Sequence, residues 1–351
     1  MDKIYDLSVI LPTYNEVENL PIIIHRIEEM DLNCQIVVVD DNSKDKTADA
    51  ADRLNEKYGN IVVVRRPGKN GIATAVRDGL LNSQSKYVIV MDSDLQHPPE
   101  VIPRILRQLE NGKDLVIASR YVRGGSAEFN VLRKTISKMA TFLAHMNIQK
   151  TDNIKDPMSG FFGFRRDKVL PESIVSNGYK ILLELLVATD FRNIGEVPYR
   201  FIKRKRGKSK LGMGEFLKYI KLVLRLSDYQ MIKFMAVGLT GALLNLLIMN
   251  LSFGYFKQPL IFAGLLALEG SIVSNFLLNN YWTYRKRLAK STVFRRYLKY
   301  NFMSSLGLGI NISILLLLTH FGMNYMLADF IGIIGSFTTN FGGSQGVVWH
   351  L

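Results

Sequence analysis

The 351-residue sequence predicts an α/β fold, a mostly parallel sheet between helices, followed by an all-α transmembrane domain of four helices. Three observations predict it. Short continuous apolar runs alternate with helical segments up to about residue 121, the pattern of a parallel sheet covered on both faces. These runs end in polar clusters at Tyr14-Asn15-Glu16, Asp40-Asp41, Asp92-Ser93-Asp94 and Ser119-Arg120-Tyr121, where such sheets bind ligands. Beyond Tyr229 the composition changes, and apolar stretches become long enough to cross a bilayer.

Ser8-Val9-Ile10-Leu11 is the first apolar run and is stopped by Pro12. A helical pattern follows from Pro21 to Met30. Gln35 to Val39 is a second strand, ended by Asp40-Asp41-Asn42-Ser43, and Asp45 to Tyr58 reads as a helix. Ile61 to Val64 is the third strand, Ile72 to Asn82 a helix, and Tyr87 to Met91 the fourth strand. Val101 to Asn111 is again helical, and Leu115 to Ala118 is a fifth strand. No GxGxxG follows the first strand, which argues against a dinucleotide-binding dehydrogenase.

From Glu215 to Asp228 a helical segment places Lys218, Lys221 and Arg225 on one face and apolar residues on most of the rest, the pattern of a helix lying on a bilayer. Four apolar spans follow: Phe234 to Phe256, Pro259 to Tyr284 (interrupted by Glu269), Phe302 to Ala328, and Phe330 to Trp349. They form two hairpins, with short turns near Lys257-Gln258 and Gly322-Met323-Asn324. The loop between the hairpins, Arg285 to Lys299, is strongly basic. The positive-inside rule places that loop, the Lys203 to Lys210 cluster and both termini in the cytoplasm of a multi-pass cell-membrane protein. Trp282, Tyr284 and Trp349 fall near span ends, as in an aromatic belt. The expected division is a cytoplasmic α/β domain over 1–211, an interfacial helix over 212–229 and the transmembrane domain over 230–351.

The net charge of +14 is clustered, and the clusters flank apolar segments. No nucleic-acid signature accompanies them, so lipid headgroups and phosphate are the expected partners and nucleic acid is not. Cys34 is the sole cysteine, which excludes an internal disulfide and any CxxC metal site, and it reads as a small core residue. No signal peptide is evident at the N-terminus, in keeping with a cytoplasmic first domain.

Asp92-Ser93-Asp94, at the end of a buried strand, is a candidate for the chemistry. Carboxylates two residues apart on a turn can converge on a hard cation, and their oxygens suit Mg²⁺ or Mn²⁺. Gln96 is close enough to join them. Such a pair also decorates ordinary turns, and its position after a buried strand is what singles this one out. Asp40-Asp41 is either a turn with a helix cap or the acceptor of hydrogen bonds from a nucleobase or ribose. Arg120, Arg133, Lys134, Lys138 and Arg204 supply cations suited to phosphate.

Together these residues resemble glycosyltransferase family 2 and its nucleotide-diphospho-sugar transferase (GT-A) fold. The resemblance rests on Val9-Ile10-Leu11-Pro12-Thr13-Tyr14-Asn15-Glu16, on Val39-Asp40-Asp41-Asn42-Ser43 through Thr47, and on Asp92-Ser93-Asp94-Leu95-Gln96-His97-Pro98. Within that family the chain is similar to the dolichol-phosphate mannose synthases, through Gly71 to Leu80, Ser119-Arg120-Tyr121, Arg133 with Ser137, Asp156-Pro157-Met158-Ser159-Gly160-Phe161, Arg204 through Gly207, and Ser209-Lys210-Leu211. This covers about Asp6 to Leu211. The membrane half resembles the four-helix GtrA-like family, through Phe234 to Gly241, Asn275-Phe276, Asn279 and Trp282-Thr283-Tyr284.

The resemblance implies a metal-dependent, inverting transfer of mannose from GDP-mannose to dolichyl or polyprenyl phosphate. It assigns the nucleotide-sugar to Pro12, Tyr14, Glu16, Asp41, Gly71, Asp92, Ser93, Asp94, Gln96 and Arg204. Asp92, Asp94 and Gln96 would hold Mg²⁺ or Mn²⁺, and Arg120, Arg133 and Ser137 the acceptor phosphate. Asp92, Asp94, Arg120 and Arg204 would be the catalytic set, although Lys203-Arg204-Lys205-Arg206 offers several cations where the pattern needs one. Two alternatives share most of these residues: a polyprenyl-phosphate glucose synthase using UDP-glucose, and a lipid-linked sugar flippase whose first domain only binds.

Overall fold

A computed structural model describes residues 5–69, 71–128, 131–174, 180–202, 213–287 and 291–350. The chain divides into two compact units. One runs to Leu222 without Met146–Gln149, and the other is Val223 onward with Met146–Gln149. The division falls inside the 212–229 segment.

In the first unit strands and helices alternate: β1 (Leu7–Thr13), α1 (Leu20–Glu28), β2 (Cys34–Asp40), α2 (Thr47–Tyr58), β3 (Ile61–Arg65), α3 (Ile72–Leu81), β4 (Tyr87–Val90), α4 (Ile102–Glu110), β5 (Leu115–Ser119), β6 (Ser126–Ala127), α5 (Val131–Asn147), β7 (Phe162–Arg165), α6 (Ile181–Ala188), β8 (Ile194–Pro198), β9 (Arg200–Phe201) and α7 (Met213–Leu226). Seven strands form one sheet in the order β3-β2-β1-β4-β7-β5-β8, and β6 pairs with β9 separately. The five expected strands are all present and lie parallel to their neighbours, except where β7 enters. β7 runs antiparallel between β4 and β5, and neither it nor β8 was expected from the sequence.

Side chains alternate across the sheet. Val9 and Leu11 face a core formed with Leu20, Ile23 and Ile27 of α1 and Ile102 and Ile105 of α4. Ile10, Val37 and Val39 face the opposite core, with Val76 and Leu80 of α3 and Leu182 and Leu185 of α6. Burial on both faces is why the strands read as unbroken apolar runs. Gly79 of α3 lies so close to the sheet that a Cβ there would come within 2.6 Å of Ile10. Gly163 has the same role on the other face, where a Cβ would come within 2.7 Å of Ile105 and 2.8 Å of Ile89. Cys34 is buried, as expected.

α7 keeps Lys218, Lys221 and Arg225 exposed and buries Tyr219 and Leu222, and the Tyr219 hydroxyl donates to the Ala140 carbonyl at 2.6 Å. The second unit continues with α8 (Gln230–Met249), α9 (Leu260–Leu278), α10 (Val293–His320) and α11 (Tyr325–Gly343). π-helical turns extend α8 to Tyr255, α9 to Thr283 and α11 to Val348. Among the described residues three helices are long and apolar enough to cross a membrane: Gln230–Tyr255, Leu260–Thr283 and Val293–His320. α11 packs along α10 and is not one of them. It begins before the expected Phe330, because the Asn324 side chain caps it by accepting from the Met326 N–H at 2.9 Å, so Asp329 lies inside the helix.

In each hairpin an asparagine packs on a glycine so closely that a Cβ would not fit: Asn275 on Gly241, and Asn340 on Gly307. The aromatic-belt expectation fails for two of its three residues. Trp282 is exposed, but Tyr284 and Trp349 are each 1% exposed and stack at 4.4 Å in the interior. For Trp349 the cause is polar: its indole donates to the Asn280 side chain at 3.1 Å.

Candidate active site

The loops after β1, β2, β3 and β4, with the start of α3, line a cleft of about 270 Å³, just under the usual range for small-molecule sites. The loops are cross-linked by side chains. Asn15, at φ 58°, donates its N–H to the Ser43 hydroxyl oxygen at 2.9 Å, and its side-chain oxygen accepts the Lys44 N–H at 3.0 Å. Asp45 accepts the N–H groups of Val17 and Thr47, each at 3.1 Å, and so serves as the turn and helix-start residue. Asp40 accepts from Thr13 and Ser43 and closes its own turn. Of the two aspartates it is Asp41 that lines the cleft.

Pro12, Tyr14, Glu16, Asp41, Gly71, Asp92, Ser93 and Asp94 all line this one cleft, from separate stretches of chain. Lys69 lies there too, its ammonium 3.7 Å from the centre of the Tyr14 ring. The sequence did not mark Lys69, and its only signal is proximity to Gly71. Asp41 is also held from behind. Its carboxylate pairs with the buried Arg66 and accepts the Gly71 N–H at 3.3 Å, while Arg66 reaches Thr74 at 2.6 Å and Asp78 at 3.0 Å. Four lone-pair positions on a carboxylate leave room for a further donor. Arg66 was not foreseen, because its partners come from the loop after β2 and from α3 rather than from its own neighbourhood.

Asp92 and Asp94 project from the turn after β4. Between them Ser93 turns back and donates to the Pro12 carbonyl at 3.0 Å. Asp94 accepts the Gln96 N–H at 3.1 Å, with Leu95 at φ 62° completing the turn. The Gln96 amide nitrogen donates to Ile202 O at 3.1 Å, so its nitrogen is engaged away from Asp92 and Asp94. Gln96 stands behind the cleft and does not line it. His97 is buried among Phe161, Tyr199 and Phe201, and its Nδ1 accepts the Asp92 N–H at 3.1 Å. Burial pushes this imidazole down to about 4, so it is neutral near pH 7. A Cβ on Gly160 would come within 3.1 Å of the Asp92 Oδ2.

The two carboxylates that line the cleft offer oxygen donors, which suit a hard divalent cation. Among the described residues no group of three or more His, Cys, Asp or Glu side chains could close around an ion. A cation here would therefore be completed by oxygens from outside the protein, such as a diphosphate.

Arg120 opens the loop after β5. It makes a bidentate pair with the fully buried Asp156 at 2.8 and 2.7 Å, and its N–H donates to the same carboxylate at 2.9 Å. Burial works against its charge, but the Asp156 pair overrides that and keeps the guanidinium fully protonated. Asp156 is itself fixed through its N–H, which donates to Glu196 at 3.1 Å. Arg133 lies near Arg120 and Asp94, and burial together with the Arg120 charge pushes its guanidinium below the ordinary value. The Ser137 and Tyr121 hydroxyls are 2.7 Å apart. Lys180 joins this neighbourhood without having been foreseen. Its Nζ donates to Met158 O at 3.3 Å, and burial with Arg120 nearby lowers it to about 8. Arg204 lies outside the described residues.

Two family models match the chain: glycosyl transferase family 2 over residues 8–170, and the GtrA/DPMS transmembrane domain over residues 233–349. The dolichol-phosphate mannosyltransferase of Pyrococcus furiosus is 38% identical over 353 residues, covering 98% of this chain and 99% of its own. The enzyme of the same name from Saccharomyces cerevisiae is 32% identical over 249 residues, covering 67% of this chain and 90% of its own. Among solved structures, glucosyl-3-phosphoglycerate synthase from Mycobacterium tuberculosis overlaps with a TM-score of 0.49 at 20% identity, over 64% of this chain and 80% of its own.

Proposed function

The chain belongs to glycosyltransferase family 2, with a transmembrane domain of the GtrA/DPMS kind, and on that premise we propose that it moves mannose from GDP-mannose to a dolichyl or other polyprenyl phosphate. The sugar and acceptor follow the names of its relatives, and GDP-mannose is the donor implied by its motifs. The observation that carries the reading is the convergence of eight expected donor-site residues on one cleft, with Arg133 near both its Asp94 and Arg120.

In this reading Pro12, Tyr14, Glu16, Asp41 and Gly71 take the nucleoside. Asp92, Asp94 and the Gln96 oxygen would hold Mg²⁺ or Mn²⁺, which supplies Lewis-acid neutralisation of the diphosphate leaving group. Arg120, Arg133 and Ser137 orient the acceptor phosphate. A phosphate monoester has a second pKa of about 6, so the acceptor is already an anion near neutral pH and no general base is required. What remains for the protein is to hold two anions in line for a single displacement, which inverts the anomeric centre. The Arg120–Asp156 pair suits that task, since a bidentate clamp fixes the guanidinium plane.

We place the α/β domain, the basic loop and both termini on the cytoplasmic side, the positive-inside arrangement. The deciding experiment incubates detergent-solubilised protein with polyprenyl phosphate and either GDP-mannose or UDP-glucose. Mannosyl lipid from GDP-mannose alone is expected. Preference for UDP-glucose would replace this reading with a glucose synthase, and binding without turnover would replace it with a non-catalytic role.

A further inference from the structure

Around Asp92 the protein has built a support from His97 in its own loop and from a distant stretch at Gly160. The Asp92 N–H is held by Nδ1 of His97 at 3.1 Å, and the His97 ring stacks on Phe161 with centroids 5.3 Å apart. Gly160, next to Phe161, lies directly against the Asp92 carboxylate: a Cβ there would meet Oδ2 at 3.1 Å, Cγ at 3.6 Å and His97 Cε1 at 3.3 Å. This loop is pinned in turn. The Ser159 hydroxyl donates to Ala118 O at 2.7 Å, Lys180 holds Met158 O at 3.3 Å, and Asp156 is clamped to Arg120.

Glycine at 160 has no conformational cause, because its φ lies outside the range that side chains rarely adopt. Its evident cause is the space taken by the Asp92 carboxylate, with the His97 ring next to it. A Cβ at these distances would push the carboxylate by a few tenths of an ångström. Metal–ligand distances are held within about 0.2 Å, and Mg²⁺ demands near-ideal octahedral geometry while Ca²⁺ tolerates irregular shells.

We propose that Gly160 and His97 are positioning residues for a divalent cation, together setting where the Asp92 carboxylate meets it. This rests on the metal reading of Asp92 and Asp94 given above. His97 fixes the backbone at Asp92, and Gly160 leaves the carboxylate its place.

The test measures Mn²⁺ binding by electron paramagnetic resonance on the full chain in detergent, with GDP present, and competition by Mg²⁺ and by Ca²⁺. Gly160→Ala should weaken Mn²⁺ several-fold and Gly160→Val about tenfold or more, with Mg²⁺ losing more than Ca²⁺. His97→Phe, which keeps the stack on Phe161 but removes the acceptor at Nδ1, should also weaken Mn²⁺. GDP affinity in EDTA and the melting temperature of Gly160→Ala should stay at the parent values, whereas a merely structural glycine would lower the melting temperature and leave the Mg²⁺-to-Ca²⁺ ratio alone. If Gly160→Ala and His97→Phe bind Mn²⁺ like the parent while Asp92→Asn does not, the inference fails and the metal reading stands. Unaltered Mn²⁺ binding by Asp92→Asn overturns both.

Discussion

Asp92 and Asp94 stand at a strand end outside the two cores, so replacing either with Asn should abolish transfer and leave the fold unchanged. Circular dichroism alongside a radiolabelled transfer assay checks both halves of that statement, and EDTA should reproduce the loss in the parent. Arg133→Ala should weaken use of polyprenyl phosphate about tenfold or more, since a charge-assisted hydrogen bond contributes about 1.5–3 kcal/mol. Initial rates against acceptor concentration read this directly, and calorimetry of GDP-mannose should show no matching change. Asp41 behaves differently from a simple surface ligand. Removing it leaves Arg66 buried beside Asp78 with half its charge compensation gone, and breaking a buried pair costs about 3–5 kcal/mol. Asp41→Ala should therefore lower the melting temperature as well as donor affinity. A loss of donor affinity at unchanged stability would show that the Arg66 pair contributes nothing. Cys34 offers a pH test: burial pushes its thiol up to about 12 from 9.0. Because the folded value is the higher one, the unfolded chain releases the proton first, and stability attached to this group declines as pH rises through about 9 toward 12. Maleimide labelling of the folded protein should accordingly rise with pH without levelling off near the ordinary thiol range.

At the scale of elements, Gly163 decides how α4 sits on the sheet. Gly163→Ala should destabilise by about 1–3 kcal/mol, the usual cost of forcing a methyl group into a packed core. Denaturant unfolding measures the loss, and activity per folded molecule should be retained. The same glycine explains why β7 was illegible in the sequence. Phe162-Gly163-Phe164-Arg165 is four residues long with a glycine inside, so neither length nor propensity marks it as a central strand. The parallel strands were legible because each is apolar for its whole length and closed by polar residues. The lining of the cleft was legible for the same reason, since most of its residues follow those strand ends. His97, Arg66, Lys180 and Gly160 were not assigned their roles, because each acts through a partner from a separate element or turn. In the membrane half, composition located the four apolar helices, although the third starts at Val293, inside the expected basic loop, rather than at Phe302. The inward turn of Trp349 goes with its bond to Asn280, a pairing no window of hydropathy contains.

For the whole molecule, Cys34 is a convenience as well as a core residue: it is the sole cysteine and is buried, so the natural chain is a silent background for added cysteines. A cysteine placed at Arg285 should resist a membrane-impermeant maleimide applied to intact cells, and one at Asn324 should react. The reverse pattern would invert the proposed topology.

The paired Gly–Asn contacts carry a consequence of another kind. Lys233-Phe234, Gly241 and Asn245 recur as Lys299-Tyr300, Gly307 and Asn311, and Ser274-Asn275-Phe276 recurs as Thr339-Asn340-Phe341. Each asparagine is followed by a π-helical turn that starts four residues later, at Asn279 and at Ser344. The membrane half is thus one hairpin written twice in the same direction. Each copy closes its pair of helices by the same glycine–asparagine contact, Gly241 with Asn275 and Gly307 with Asn340. The glycine seam is common to both, but the acids are private: Glu269 corresponds to Ile334, and Asp329 to Gly264. A duplicated hairpin keeps its closure rule in both copies while each is free to differ in what it shows to the lipid.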